Sequence, residues 1–204
     1  MFRKKDVIIA IAVLVLFVLS GMSFAQNSQE IILTIEDVSA PEKLAHFNNG
    51  ESLRKQMKFN EAIAEYNKVI SGGESCGKES EAHYNIGLCY TWLGKLDSAA
   101  TIFGDVIRIY SGDGLAVGYA QYGLAWVDVQ KENYENAIIR LENTLNSQVC
   151  KDMELNAMMQ FAIGKIYGAY LRDWQKAGEF FKLVSERYPN TKIANHPYLK
   201  ELKK

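Results

Sequence analysis

Between residues 43 and 189 the apolar side chains recur three and four positions apart, the period of helices with one buried face, and polar or glycine-bearing turns interrupt them at regular intervals. The pattern predicts four helical hairpins which, with their connecting loops, span about residues 43–76, 80–113, 118–150 and 157–190. The second is the clearest, with Gly87 and Tyr90 on its first helix, Gly94 in the turn, then Leu96, Ala99, Phe103 and Val106. The first hairpin repeats the skeleton as Gly50, Leu53, Phe59, Ala62, Tyr66 and Val69. The third carries Ala125, Tyr134, Ala137, Leu141 and Thr144, and the fourth Gly164, Tyr167, Trp174, Ala177, Phe181 and Val184.

A small residue at Gly50, Gly87, Ala125 and Gly164, with Ala62, Ala99, Ala137 and Ala177 facing it, lets the two helices of a hairpin approach closely, which bulky side chains in a densely packed interior would prevent. The small residue and the alanine are 12, 12, 12 and 13 positions apart, so the hairpin hardly varies. Successive alanines are 37, 38 and 40 apart, and the surplus falls mainly in the connecting loops, which places the insertions along one edge of a stack. Asn60, Asp97, Asn133 and Asp173 precede the second helices, where a side-chain oxygen is expected to cap free backbone N–H groups. Residues 26–41 lack a helical period but hold Ile31, Ile32, Leu33, Ile35 and Val38; they are expected to form a short strand or an extended arm, ended by Pro41 at the start of the first helix. Residues 191–204 are expected to form a short helix covering the last hairpin.

This skeleton resembles the tetratricopeptide repeat, a helical hairpin of 34 residues, and Tyr188-Pro189 resembles the proline that closes the family's unit. It departs from the family in its longer spacing, in Ala125 for glycine and Asp128 for tyrosine, and in one extra turn residue in the fourth unit. The resemblance implies an all-α fold: a right-handed α-solenoid of four helix-turn-helix repeats with a short C-terminal capping helix. It also implies a protein–protein interaction scaffold, because in the family the first helices line a concave groove that holds extended or helical peptides. Carried residue by residue onto this chain, the groove positions include Phe47, Glu51, Arg54 and Lys55, then Tyr84, Asn85, Leu88, Thr91 and Trp92. They continue with Tyr119, Tyr122, Trp126 and Val129, and end with Met158, Phe161 and Lys165.

Some members grip a peptide's terminal carboxylate with lysine, asparagine and arginine at these places. Here Asn85 matches one of them, but Phe47, Glu51, Tyr119 and Gly123 stand where the others are required, so no such clamp is expected. The expected peptide-binding residues are instead Phe47, Tyr84, Leu88, Trp92, Tyr119, Tyr122, Trp126, Met158 and Phe161. If six large rings each leave a third of their area exposed, the groove carries on the order of 300–500 Å² of apolar surface, the range of an interaction site. Two other readings stand beside it: the rings pack between helices, or residues 31–38 of the same chain fill the groove. A separate alternative is a structural subunit of a cell-envelope assembly that binds through its convex face or its end.

Composition narrows the function further. The chain is 48% hydrophobic and 23% charged, ordinary for a soluble protein with one continuous core. Its formal charge is −1, so the basic surplus of a nucleic-acid binder is missing. Arg3, Lys4 and Lys5 precede an apolar run from Val7 to Leu19, and Ser23-Phe24-Ala25 supplies small residues before Gln26. That order predicts a signal peptide over residues 1–25, with an uncleaved membrane anchor as the alternative, and an exported, periplasmic or secreted chain either way. Met22 stands where a lipoprotein requires cysteine, so no lipid anchor is expected. Of the three cysteines, Cys89 is expected to be a buried thiol, and Cys76 and Cys150 are expected in loops too far apart for a disulfide. His46 and His83 occupy equivalent places 37 residues apart, which repeat packing explains. Neither a zinc-binding spacing nor a phosphate loop nor a catalytic constellation is present in the sequence, so no metal, no cofactor and no enzymatic activity are expected.

Overall fold

The computed structural model describes residues 38–201. The expected signal peptide, most of the expected arm and the last three residues of the chain lie outside this range. Eight helices form four antiparallel pairs: α1 (Ala40–Lys55) with α2 (Phe59–Ile70), α3 (Glu79–Trp92) with α4 (Leu96–Ile109), α5 (Gly114–Gln130) with α6 (Tyr134–Ser147), and α7 (Met153–Lys165) with α8 (Trp174–Arg187). A π-helical turn, Ile166–Tyr170, extends α7; a 3₁₀ turn, Ile193–Asn195, and a short helix α9 (Pro197–Glu201) follow α8. Each helix packs on the next in sequence, and α5 also touches α3 and α7, so the first helices of the later hairpins make one continuous inner layer. This is the α-solenoid that the periodicity predicts, with no strand among the described residues.

The hairpins close by a repeated contact between a glycine and a ring. A Cβ added to Gly50 would lie 2.7 Å from the Tyr66 ring, and one added to Gly164 would lie 2.6 Å from the Phe181 ring. Gly87 meets the Phe103 ring in the same way, and Gly123 on the following hairpin presses on that ring from its other neighbour, at 2.6 Å. Each ring is buried and fixes the separation of its two helices. In the third hairpin the small residue is Ala125 and its counterpart is Leu141, so an extra methyl is matched by a smaller partner, and both are buried. Ala62, Ala99, Ala137 and Ala177 have no exposed surface, as their place in the interface requires.

The tight turns are also repeated. Met57, Gly94, Glu132 and Arg172 occupy the same place in successive hairpins, and all have left-handed φ, between 61° and 71°. In the first three, the next residue's N–H returns to the carbonyl five positions back, at 2.9–3.0 Å, the closing bond of a Schellman turn. Glycine fills this place once and three side chains tolerate the strain. The fourth hairpin absorbs its thirteenth residue differently: Leu171 N–H reaches the Ile166 carbonyl at 3.1 Å and Asp173 N–H the Tyr167 carbonyl at 2.9 Å, which widens the end of α7 into the π turn.

Capping differs from the sequence expectation. Of Asn60, Asp97, Asn133 and Asp173, only Asp173 accepts a backbone bond, from Lys176 N–H. Asn60 lies inside α2, Asp97 is turned outward to an ion pair with Lys131, and Asn133 leaves its side chain unused. Other working caps stand at first helices. Asp113 accepts from Leu115 and Ala116 N–H, and Asp152 from Leu155 N–H, so α5 and α7 begin about four residues earlier than their apolar pattern indicates. At α1, Glu42 reaches back to Ser39 N–H at 3.0 Å, and Pro41 lies within the first turn rather than before it. Lys43, only 2% exposed, places its ammonium 2.8 Å from the Ser71 carbonyl at the end of α2, where a cation complements the helix terminus.

The first hairpin carries most of the half-buried charge. His46 lies 2.7 Å from Glu65, and Lys68 is 2.8 Å from the same carboxylate. The Lys68 hydrogen bond, with help from His46, outweighs partial burial and holds Glu65 down to about 2. His83 lies 3.4 Å from the hydroxyl of Tyr110, the residue that ends α4, so both equivalent histidines contact the second helix of their own hairpin or its C-terminal cap. Cys76, Cys89 and Cys150 are free thiols, Cys89 and Cys150 being buried.

Three measurements test this account of the fold. Gly87→Ala is expected to cost about 1–3 kcal/mol in urea denaturation, because its methyl overpacks the Phe103 ring. Glu132→Gly is expected to stabilise by about 0.5–1 kcal/mol, because it relieves left-handed strain. Since Glu65 is depressed from its usual 4.5, its contribution is fully present above that pH and is lost as the pH falls toward 2. Thermal melts should therefore show Glu65→Gln less stable than the parent at pH 7, with the gap closing below pH 4.5.

Candidate functional site

The inner face divides into two halves that use their side chains differently. In the first half, Glu51 on α1 accepts from the Tyr66 hydroxyl at 2.6 Å, Arg54 Nη2 at 2.8 Å and, from the next hairpin, Asn85 Nδ2 at 2.8 Å. Burial alone would raise the Glu51 carboxyl, but the hydrogen bonds from Arg54 and Tyr66 prevail and hold it below its usual value. The network pins α1 to α3 and occupies Asn85, the one side chain that matched the carboxylate-gripping set. Phe47 departs from its expected place in the groove: it is 5% exposed, packed against Tyr66 at 6.0 Å between ring centroids and covered by the Lys78 ammonium. Its position beside the small residue points it into the hairpin rather than along the face.

The next expected residues are half-buried and pack on one another. Tyr84 lies between Phe103 and Tyr119, at 5.6 and 5.3 Å between centroids, and burial pushes its hydroxyl's pKa up. Leu88 packs into the same cluster. Trp92 is 62% exposed, but it lies at the end of α3 and stacks on Phe59 with the planes 9° apart, which turns it toward the hairpin turns.

The second half is open. Tyr122, Trp126, Met158 and Phe161, four of the nine expected residues, line a cavity of about 190 Å³ between α5 and α7. Ala125, Val129 and Leu141 also line it, so the substitution of alanine and leucine for glycine and a ring at the third hairpin shapes this wall. Ile166 and Tyr170 of the π turn line it further, together with Ile193 and His196 from the C-terminal tail. The tail is held there by Glu154 on α7, whose carboxylate accepts from Lys192 and Ile193 N–H at 2.8 and 3.1 Å. Tyr198 stands edge-on to Phe161 and Phe181, and Leu199 is buried beneath it. The tail therefore caps the last hairpin, as expected, and also supplies part of the cavity wall.

Sequence reasoning missed Ile166, Tyr170, Ile193 and His196. The extra residue between Gly164 and Ala177 was the available signal for the first two, while nothing in a repeat pattern assigns a tail residue to a groove. Among the described residues no group of His, Cys, Asp or Glu side chains is arranged to hold a metal ion. None of the described helices is long and apolar enough to cross a membrane.

Comparison with known proteins agrees with this geometry. The tetratricopeptide repeat family model matches residues 81–113 and 159–191, which are hairpin α3–α4 and most of hairpin α7–α8. Both have a glycine under a phenylalanine ring, whereas the unmatched third hairpin has Ala125 and Leu141. Among solved structures, the apo form of RapI is similar at a TM-score of 0.62 and 19% identity, over 79% of this chain and 60% of that one. A Podosopora anserina putative kinesin light chain with nearly identical TPR-like repeats is similar at a TM-score of 0.58 and 14% identity, over 81% of this chain and 83% of that one. The chain thus spans 60% of the length of RapI, and identities this low speak for the fold alone. No curated protein matches the sequence. Two segments match the tetratricopeptide repeat model, and the described residues fold as an α-solenoid of four hairpins similar to that of a solved chain with TPR-like repeats.

Proposed function

We propose that this chain is an exported protein-interaction module that holds a peptide or helix of a protein partner on the inner face of its last two hairpins. The observation that carries the reading is the convergence of Tyr122, Trp126, Met158 and Phe161 on one apolar cavity of about 190 Å³. Trp126 remains 38% exposed there, and a large ring that a partner buries is the kind of residue that dominates binding energy. The basic and then apolar order of residues 1–25 supports export, and the absence of a basic surplus supports a protein partner over nucleic acid.

A second reading, a subunit of an envelope assembly, is favoured by a different surface. Met57, Trp92 and Trp174 are 71%, 62% and 56% exposed at the edge where the hairpins turn.

The two are separated by identifying the partner through a photo-crosslinker at Trp126, then measuring its affinity for purified variants. Trp126→Ala with Phe161→Ala is expected to weaken binding at least tenfold, of the order of 2 kcal/mol, while Trp92→Ala leaves it unchanged. The opposite ranking, with mass that grows with concentration in sedimentation, supports the assembly reading.

A further inference from the structure

Two cavities, rather than one, open around the fourth hairpin, and they share a ridge. Beside the first lies a second of about 330 Å³, walled by Gly164, Gly168, Trp174 and Tyr198. The π turn makes this second cavity possible, because it sets Gly168 under the Trp174 ring, where an added Cβ would lie 2.8 Å from the ring carbon. Phe161, Lys165 and His196 line both cavities. Phe161 is the apolar spine of the ridge, and its ring lies 5.5 Å from the His196 imidazole.

The ridge has an unbalanced charge. Aspartate and glutamate are absent from the lining of either cavity, and Lys165 has no ion-pair partner among the described residues. Arg54, Arg140 and Lys176 are paired with Glu51, Asp128 and Asp173, whereas Lys55 and Lys58 are, like Lys165, exposed without an ion-pair partner among the described residues; what sets Lys165 apart is its place between two apolar cavities. His196 accepts from Tyr198 N–H through Nδ1 at 3.3 Å, which leaves Nε2 as its donor for a ligand. Both side chains are exposed.

We infer that this face selects a peptide presenting three side chains in a row on one surface: apolar, acidic, apolar. This rests on the reading of the inner face as a peptide site. Each cavity is of the size that accepts one ring or branched aliphatic group, since an apolar cavity of about 150 Å³ holds benzene. The two apolar side chains occupy the cavities on either side of Phe161, and the carboxylate between them meets the Lys165 ammonium and the His196 Nε2–H. A partner carrying lysine at the middle place is excluded by like charge, so the ridge supplies specificity as well as affinity.

The test uses the full chain and an array of dodecapeptides in a serine and glycine background. Leucine or phenylalanine is placed at i and i+4 with the middle residue at i+2, or at i and i+7 with the middle residue at i+4, and the middle residue is Glu, Gln or Lys. In one of these frames the Glu peptide is expected to bind three- to tenfold more tightly than its Gln twin, and the Lys peptide to be weakest. The preference for Glu should vanish in Lys165→Gln, an exposed substitution whose folding is checked by its melting curve. Equal binding of Glu and Gln peptides to the unmodified chain overturns the acidic selection and leaves the peptide-binding reading intact. Failure of every peptide overturns this inference, whereas a crosslinked partner that binds without regard to Trp126 overturns the reading beneath it. Uptake of dodecanoate in place of any peptide also overturns the inference, since it makes the site a fatty-acid pocket.

Discussion

The structure depends on glycine lying flat beneath an aromatic ring. At Gly50, Gly87 and Gly164 an added side chain forces a shift, because the ring of Tyr66, Phe103 or Phe181 already fills the space a Cβ would enter. That contact fixes how near the two helices of a hairpin approach, and hence where Ala62, Ala99 and Ala177 must fall on the opposite helix. Phe103 extends the constraint between hairpins, since Gly123 grips its far side and ties the second unit to the third. The third hairpin keeps the separation with a different pair, Ala125 and Leu141, so the volume of the pair is conserved rather than the residues.

The same constraint explains why one end of the inner face is closed and the other open. In the first two hairpins the space beside the rings is taken by neighbours: Glu51 binds Asn85 across the hairpin boundary, and Tyr84 packs between Phe103 and Tyr119. In the last two, Leu141 offers less bulk than a ring and the π turn adds a residue at the end of α7. Helix α7 therefore leaves a gap beside α5 that its own side chains do not fill. Glu154 then fastens the tail along the gap and completes its wall. A π turn costs hydrogen-bond regularity, and such turns recur at functional positions, which accords with its place here.

Much of the fold was legible because the small-residue spacing is a direct image of helix packing. The four hairpins and the facing alanines follow from it, and the capping tail follows from the general need of a solenoid to cover its last unit. Local details were not legible in the same way. Asn60 and Asp97 look like caps by residue type, yet the helices begin ahead of them, and Asp113 and Asp152 do the capping where the sequence suggested loop. Left-handed turns at Met57, Glu132 and Arg172 carry no compositional mark, because only Gly94 announces one. Of the expected groove positions, Tyr122, Trp126, Met158 and Phe161 line one cavity while Phe47 is buried inside its hairpin, since direction depends on what lies across the hairpin. His196 and Ile193 reach the cavity only through tertiary docking, which no repeat pattern encodes.

The proposed binding of a partner between the third and fourth hairpins engages a surface shaped by Trp126 and Met158. It is tested most directly by NMR of the chain with its bound partner, following the indole N–H signals of its three tryptophans and the methionine methyl groups. The Trp126 indole and the Met158 methyl signals are expected to shift on binding while the Trp92 indole stays in place. Shifts confined to Trp92 or Trp174, with Trp126 and Met158 unchanged, would contradict it.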